Sequence, residues 1–302
     1  MIAAPAAPAA PNAWSRRLLL VMPFIFVLLW STGFIVAKFG LPYAPPLTFL
    51  VLRFAGVALV LLPLVMLAKA PWPHGRIVDI ALSGVLLHAG YVGGVWCAIK
   101  LGMPAGLAAL IAGMQPVLTA FAAPLIGERV RPRQWIGLLL GLGGVALVVS
   151  NKINVIGLSY ESIGSGVLGL LGITVGTLYQ KHRCAHFDLR SGTLIQYLAS
   201  VAVMLPLAIV FEGFDSHLAT VAWTPRFIGA LMWAIFVLSI GAVFLLFALI
   251  CQNATTSVTS LLYLTPPTTA VMAWIMFGEG FSIVGIAGMA LAVLGVAFVI
   301  KK

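Results

Sequence analysis

The chain of 302 residues is 62% hydrophobic and only 8% charged. A soluble domain carries about 25% charged residues because it must cover itself with a surface that water wets. The composition therefore excludes a soluble globular protein and predicts a surface that faces lipid. The formal charge of +10 comes from 17 Lys and Arg residues against 7 Asp and Glu residues. Most of the basic residues stand in short gaps between apolar runs, which is typical of a membrane protein and not of a nucleic-acid-binding patch.

The chain opens with a tail rich in Ala and Pro. Residues 1–17 end in Arg16 and Arg17 and predict a disordered cytoplasmic segment. The apolar run that starts at Leu18 is too long for a signal peptide and has no small-residue cleavage site after it. It therefore predicts a retained first membrane helix.

Ten apolar runs follow one another along the chain. A helix needs about 20 apolar residues to cross about 30 Å of hydrocarbon, and Pro and Gly residues mark the breaks between the runs. The runs cover residues 18–40, 46–68, 77–100, 104–126, 134–151, 163–182, 192–211, 227–250, 255–277 and 281–300. We predict an all-α integral membrane protein with ten transmembrane helices, and nine or eleven spans are the alternatives.

The basic residues orient these spans. With ten spans and the N-terminus inside, twelve of the 17 Lys and Arg residues fall in inner segments and three, Lys100, Lys152 and Arg226, fall in outer loops. Lys and Arg are retained on the cytoplasmic side of a membrane. Both termini are therefore expected in the cytoplasm.

The two halves of the chain repeat each other at two offsets. A shift of 151 residues or of 143 residues aligns ordered pairs: Gly127 and Glu128 with Gly278 and Glu279, Pro116 with Pro267, Gly137 with Gly288, Gly144 with Gly295, Lys38 with Lys181, and Pro63 with Pro206. Each half holds five spans, and an odd number makes the second half enter the membrane from the opposite side. We predict two inverted repeats, residues 18–152 and 153–302, a design that many transporters use for alternating access.

Several stretches carry a family resemblance. They are residues 30–38, 48–54, 104–128 and 255–279, with a Gly-Glu pair ending the fourth and ninth spans. In these features the chain resembles the EamA-type branch of the drug/metabolite transporter superfamily over residues 18–300, and within the branch it is similar to the YddG-type amino-acid exporters. The resemblance implies a bacterial inner-membrane protein with a central cavity lined by spans 1, 3, 4, 6, 8 and 9, and with spans 5 and 10 at the periphery.

Polar residues within the spans are candidates for substrate binding, because polar groups inside a bilayer are costly. His88 and Tyr91 are three residues apart and share a helix face. A cavity with aromatic walls and a few hydrogen-bonding groups suits a small zwitterion with an apolar side chain. The alternative is that each polar group bonds a neighbouring helix. The candidates are Trp30, Lys38, His88, Tyr91, Gln115, Tyr179, Tyr263 and Thr265.

Other residues have two interpretations each. Pro116 and Pro267 predict kinks beside the cavity or simple packing bends. Lys38 and Arg53 have no carboxylate inside a predicted span to pair with, so they either attract a substrate carboxylate or extend to lipid headgroups. Glu279, like Glu128, is expected to complement the N-terminus of the following helix, with proton coupling as the alternative.

Glycine stripes near residues 137–144 and 285–295 predict close helix packing and not a nucleotide loop. His182, Cys184 and His186 lie in a basic loop that we assign to solvent, with metal binding as the alternative. We expect no cofactor and no resident metal.

The sequence favours a secondary transporter that exports amino acids or similar small metabolites, with protons as an open coupling partner. A passive facilitator or channel is the first alternative. A membrane-embedded enzyme acting on lipid-linked substrates is the second, and it lacks paired carboxylates or an HExxH motif. The oligomeric state is left open.

Overall fold

The computed structural model describes residues 13–122, 132–156, 158–184, 187–213, 221–243, 245, 264–280 and 282–300. Within these ranges the secondary structure is helical and contains no strand. The helices are α1 (Ala13–Gly40), α2 (Pro46–Leu67), α3 (Ile77–Gly84), π1 (Val85–Val92), α4 (Gly93–Lys100), α5 (Ala105–Ala112), α6 (Gln115–Ala122), α7 (Pro132–Ile156), α8 (Tyr160–Arg183), α9 (Leu189–Glu212), α10 (Pro225–Met232), π2 (Trp233–Ala242), α11 (Thr265–Phe277) and α12 (Ile283–Ile300). Here π1 and π2 denote segments of π-helix.

Six helical stretches in the described residues are long and apolar enough to cross a membrane. They have 18 to 24 residues and cover 21–40, 46–67, 77–100, 160–183, 189–212 and 225–242. Shorter apolar helices cover 105–119, 135–148 and 283–295. Each of the ten predicted runs overlaps one of the helices of the structure, so the all-helical membrane fold is confirmed.

Local sequence explains where several helices begin and end. Ser159, Asp188 and Thr224 precede α8, α9 and α10, and their side chains accept hydrogen bonds from backbone N–H groups of the first turn at 3.2, 2.9 and 3.2 Å. Such caps satisfy donors that the helix itself leaves free. α9 and α11 both stop at a glycine in the left-handed conformation, Gly213 at φ 59° and Gly278 at φ 67°.

Three interruptions occur in the middle of helical stretches. The helix that contains Pro116 breaks after Ala112, and a turn at Gly113 separates α5 from α6, which confirms the predicted kink at this proline. π1 and π2 interrupt the stretches 77–100 and 225–242. Pro116 is the second residue of α6, and Pro266 and Pro267 likewise lie in the first turn of α11, where a missing N–H costs little.

The helices α7 and α12 pack through their glycine stripes. A methyl group on Gly144 would come within 2.5 Å of the carbonyl oxygen of Gly288, and one on Gly295 within 2.6 Å of the carbonyl oxygen of Gly137. Higher residue numbers on α7 therefore face lower numbers on α12, and the two helices run antiparallel. The predicted close packing of these stripes is confirmed.

Seven helix ends meet at one end of the bundle, which we call the Lys38 end. Glu212, at the end of α9, accepts hydrogen bonds from the backbone N–H groups of Leu47 and Thr48, at 2.8 and 2.7 Å, and from the hydroxyl of Thr48 at 2.9 Å. Lys100 of α4 donates to the carbonyl of Leu41 at 3.0 Å. The starts of α2, α5 and α10 and the ends of α1, α4, α9 and α11 lie here.

Candidate functional site

A cluster of polar side chains lies inside the bundle, where α2, π1, α9 and π2 meet. We call it the Arg53 cluster. Its members come from four helical stretches, and two of them, Arg53 and Ser239, are 186 residues apart in the chain. The members are Arg53, His88, Tyr91, Gln196, Tyr197 and Ser239.

Arg53 is the charged member of the cluster. It lies on the eighth position of α2, about 10 Å along the helix from its first residue, and only 9% of its surface is exposed. Its Nε donates to Ser239 Oγ at 3.0 Å, and the phenols of Tyr91 and Tyr197 are its electrostatic neighbours. The guanidinium therefore points into the protein, which argues against the alternative that it extends to lipid headgroups.

His88 stacks within an aromatic group. Its ring lies 4.4 Å from the ring of Tyr197 at an angle of 19°, and Phe54 packs against both rings at 5.7 and 5.6 Å. The imidazole Nε2 is buried without a hydrogen-bond partner in the described residues. A buried polar atom of this kind costs free energy unless something completes it, so the cluster is open to a further hydrogen-bonding group.

Gln196 connects the cluster to the adjoining helices. Its Nε2 donates to Ser83 Oγ at 3.0 Å and to Gln180 Oε1 at 3.2 Å. The next turn of the same helix places Ser200 Oγ on the carbonyl of Gly84 at 3.1 Å. These bonds fix α9 against α3, so His88 and Tyr197 meet on a rigid support.

Both π-helical segments contribute residues to the Arg53 cluster. π1 carries His88 and Tyr91, and π2 carries Ser239. The π-helix is rare in proteins and frequently occurs at functional sites. Its presence in two stretches that face the same polar cluster is the strongest local sign of a functional site in the described residues.

The structure brings together only part of the predicted site. His88 and Tyr91, two of the predicted site residues, are both members of the Arg53 cluster. The ring of Trp30 packs against that of Phe26 in a tilted arrangement, with centroids 5.3 Å apart. Gln115 donates to Thr177 Oγ1 at 3.0 Å, so both candidates contact other side chains.

Two further candidates lie elsewhere in the structure, and a third falls outside the described residues. Tyr179 donates its hydroxyl to Asp79 Oδ1 at 2.5 Å, and Asp79 belongs to the first turn of α3, which is not the Lys38 end. Thr265 is buried at the start of α11, and its hydroxyl has no partner in the described residues. Tyr263 lies outside the described residues, as do Glu128 and His186.

Lys38 has a carboxylate partner, which lies between two predicted spans and not inside one. Its Nζ forms an ion pair with Glu279 Oε1, and the same oxygen lies 3.4 Å from the backbone N of Ala105. Lys38 also lies over the ring of Phe277 at 4.8 Å. Glu279 thus complements the N-terminus of α5, and not that of the helix that follows it in sequence. The prediction missed this because 241 residues separate the two partners.

Sequence reasoning also missed Gln196, Tyr197 and Ser239 and left Arg53 between two interpretations. The signal was present: Gln196 and Tyr197 are polar residues in an otherwise apolar run, the criterion that selected His88. Tyr197 is 2% exposed and Ser239 is also 2% exposed. Their importance follows only from the helices that they face.

Apolar helices of membrane length surrounding a buried polar cluster define a multi-pass membrane protein with an internal site. The chain belongs to the EamA-like transporter family, which it matches over residues 17–150 and 162–301. It is therefore a membrane transporter and not an enzyme.

Relatives support this assignment. The uncharacterized transporter YvbV of Bacillus subtilis (strain 168) is 29% identical, over 95% of this chain and 92% of that protein. The probable amino-acid metabolite efflux pump of Salmonella typhimurium (strain LT2) is 27% identical, over 91% of this chain and 92% of that protein. A protein of known crystal structure shares the fold, with a TM-score of 0.62 and 20% identity over 93% of this chain and 94% of that one.

Proposed function

We propose that this protein is a secondary transporter of the bacterial inner membrane that exports amino acids with apolar or aromatic side chains, or similar small metabolites, by alternating access. The Arg53 cluster binds the substrate. The observation that carries the proposal is this buried cluster of charged, polar and aromatic groups between apolar helices of membrane length. It includes an imidazole nitrogen that has no hydrogen-bond partner among the described residues. Ionisable groups inside a membrane mark substrate or ion pathways.

Alternating access requires two halves that rock against each other, and we propose ten spans in two inverted five-helix repeats, residues 18–152 and 153–302. Three observations support this arrangement. The antiparallel contact of Gly144 with Gly288 maps, under the shift of 151, onto that of Gly295 with Gly137. π1 and π2 occupy stretches about 150 residues apart. The family matches the chain in two successive segments.

The distribution of basic residues supports the orientation. With both termini in the cytoplasm, the Lys38 end faces outward, and α3 begins at the inner face. One relative, YedA of Escherichia coli (strain K12), is named as an inner membrane transporter, which supports the same membrane for this protein.

An amino-acid substrate has two supports. The Salmonella relative is named as a probable amino-acid metabolite efflux pump, and aromatic surfaces beside a guanidinium suit a solute with an apolar side chain and a carboxylate. The apolar side chain would pack on the rings of Phe54, His88 and Tyr197.

Flux into proteoliposomes tests the proposal. Purified protein should catalyse exchange of labelled apolar amino acids, and an internal pool of unlabelled substrate should drive transient uphill entry of label. Such counterflow occurs with a carrier that alternates its access and does not occur with an open channel. If the label only equilibrates across the membrane, the protein is a passive facilitator and not an alternating-access carrier. If the protein produces no flux of any amino acid, the proposed substrate class is rejected.

Substitutions test the site. His88→Ala and Tyr91→Ala should each reduce flux without reducing membrane abundance, because each removes a group from the cluster. Matched controls are His74→Ala and Tyr160→Ala, which change the same residue types at exposed positions. Normal flux in both cluster variants would reject the site.

A further inference from the structure

We infer that Arg53 binds the carboxylate of the transported solute, so the transporter selects organic monoanions and zwitterions over the corresponding amides and amines. This inference rests on the proposed transport function and adds to it the group that recognises the substrate. It starts from the hydrogen-bonding capacity of the guanidinium.

A guanidinium has five N–H donors and no acceptor. Arg53 uses the donor on Nε, which bonds Ser239 Oγ at 3.0 Å. The described residues place no acceptor within hydrogen-bonding distance of its two terminal nitrogens and no carboxylate in an ion pair with it. Four donors of a 9% exposed cation are therefore free within the described part of the chain.

Such an arrangement is costly in a membrane. A charged side chain at the middle of a spanning helix costs about 2.5–3.5 kcal/mol or more, and buried charges in proteins are normally paired. Every other described cation near the Lys38 end has a partner or is exposed: Lys38 pairs with Glu279, Lys100 donates to a carbonyl, and Arg226 lies on the surface. Arg53 alone among these is buried and lacks an anionic partner.

The geometry of the free donors matches a carboxylate. With Nε held by Ser239, the terminal nitrogens present parallel N–H groups, and this fork binds the two oxygens of a carboxylate together. Ser239 belongs to π2, so the irregular turn orients the guanidinium. The phenols of Tyr91 and Tyr197 border it and can donate to the same anion.

The number of charges restricts the ligand. A single buried guanidinium neutralises one negative charge, whereas a phosphate ester carries up to two. The imidazole of His88 is stacked on the ring of Tyr197 and contacts the tilted ring of Phe54, and Lys38 forms an ion pair with Glu279. The site therefore fits a monocarboxylate with an apolar or aromatic body.

Three matched solutes test the inference: phenylalanine, phenylalaninamide and 3-phenylpropanoate. They share the ring and differ in the carboxylate and the ammonium group. Binding is measured as the ligand-dependent rise in the thermal unfolding midpoint of the purified protein, titrated to give Kd. The wild type should bind both carboxylates and should bind the amide at least about thirtyfold more weakly, since losing one partner of a buried charge pair has effects of this size or larger.

Arg53→Gln should weaken binding of the two acids by at least about thirtyfold and abolish the preference for acid over amide. Arg53→Lys should retain part of that preference, because it keeps the charge and loses the fork. Ser239→Ala should reduce the preference by a smaller factor. Arg226→Gln, which removes one cation from an exposed position, should bind like the wild type.

The preference for acid over amide separates binding from a structural role, because a destabilised site would lose affinity for all three solutes alike. Equal binding of acid and amide by the wild type would overturn the inference, as would an unchanged preference in Arg53→Gln. If Arg53→Gln does not fold, the wild-type comparison and Arg53→Lys decide the question.

The two proposals fail separately. If the protein shows counterflow of amines or amides but not of acids, the proposed transport function stands and the proposed role of Arg53 is rejected. If the protein binds acids selectively through Arg53 but shows no flux in proteoliposomes, the proposed carboxylate site stands and transport of these solutes is rejected. No binding of any of the three solutes to the wild type would overturn the inference.

Discussion

Replacing Glu212 by Gln should destabilise the protein measurably, because this carboxylate completes the first turn of α2. Two backbone N–H groups and one hydroxyl donate to it at 2.7 to 2.9 Å. The first turn cannot satisfy these donors internally, and Pro45, the residue that precedes α2, provides no side-chain cap. Glu212 belongs to α9, so the same bonds fasten α9 to α2.

The size of the effect follows from the charge. A hydrogen bond to a charged group contributes about 1.5–3 kcal/mol net, against about 1 kcal/mol for a neutral one. Glutamine keeps one acceptor oxygen but presents N–H groups toward donors where the second oxygen stood. Since Glu212 is half-buried and water can replace part of the loss, we expect Glu212→Gln to lower the free energy of unfolding by about 2 kcal/mol. Thr48→Ala, which loses the hydroxyl bond to the same carboxylate and the methyl group of a fully buried side chain, should lower the free energy of unfolding by about 1.5–3 kcal/mol.

Equilibrium unfolding in mixed micelles with a denaturing detergent gives these free energies. The double variant should cost less than the two single changes together, because both remove the bond between the Thr48 hydroxyl and Glu212. The matched control is Glu161→Gln, which changes an exposed glutamate in the first turn of α8 and should lower the free energy of unfolding much less than Glu212→Gln does. If Glu212→Gln unfolds like the control, or if the two effects simply add, the carboxylate does not fasten the helices as the structure indicates.

Three further outcomes are expected. Gly144→Ala should lower the free energy of unfolding by about 1–3 kcal/mol, because the added methyl would lie within 2.5 Å of backbone atoms of α12. Gly143→Ala should leave it unchanged, because a methyl there would have no atom within 4 Å. Equal unfolding midpoints for the two variants would contradict the close packing. Glu279→Gln should lower the free energy of unfolding by only about 1 kcal/mol, because its ion-pair partner Lys38 is 36% exposed and water screens the pair. Adding Lys38→Gln should lower it little further in a double-mutant cycle. Hydrogen bonding to its arginine neighbour lowers the pKa of Asp188, so its stabilisation is present above the pKa of the unfolded chain and is lost as pH falls through the lowered value. Asp188→Asn should therefore unfold earlier than the wild type at pH 7 and like the wild type in strong acid; a difference that persists in acid would exclude the charge as its cause.

The positions of the helices could be predicted from sequence because membrane helices are specified by length and composition, which are local. The predicted run 46–68 appears as Pro46–Leu67, and 281–300 appears as Ile283–Ile300. The shared face of His88 and Tyr91 was predicted from the spacing of an α-helix, whereas both residues lie in the wider turn of π1. The kink at Pro116 follows from its missing N–H.

The site as a whole could not be predicted, because its bonds join distant parts of the chain. Arg53 and Ser239 are 186 residues apart, and Lys38 and Glu279 are 241 apart. No local pattern shows which helix a polar side chain faces, and no sequence signal marked the π-helical turns. Lys38 and Arg53 looked equivalent for the same reason: both are basic residues near the start or end of an apolar run, and only their partners distinguish them.

The partners of Lys38 and Arg53 show that these two residues have different roles, which the sequence alone did not distinguish. At the Lys38 end, Lys38 and Glu279 neutralise each other, and Glu279 Oε1 also faces the N-terminus of α5, so an arriving carboxylate would have to displace one that is already held in place. Arg53 is more deeply buried, yet a serine hydroxyl is the only acceptor at hydrogen-bonding distance among the described residues. Charged side chains within membrane spans pair with one another or face the bundle interior or a water-filled cavity, and they mark substrate pathways. The terminal N–H groups of Arg53 have no acceptor among the described residues, which is why we place substrate recognition at Arg53 and assign Lys38 to the structure of the bundle.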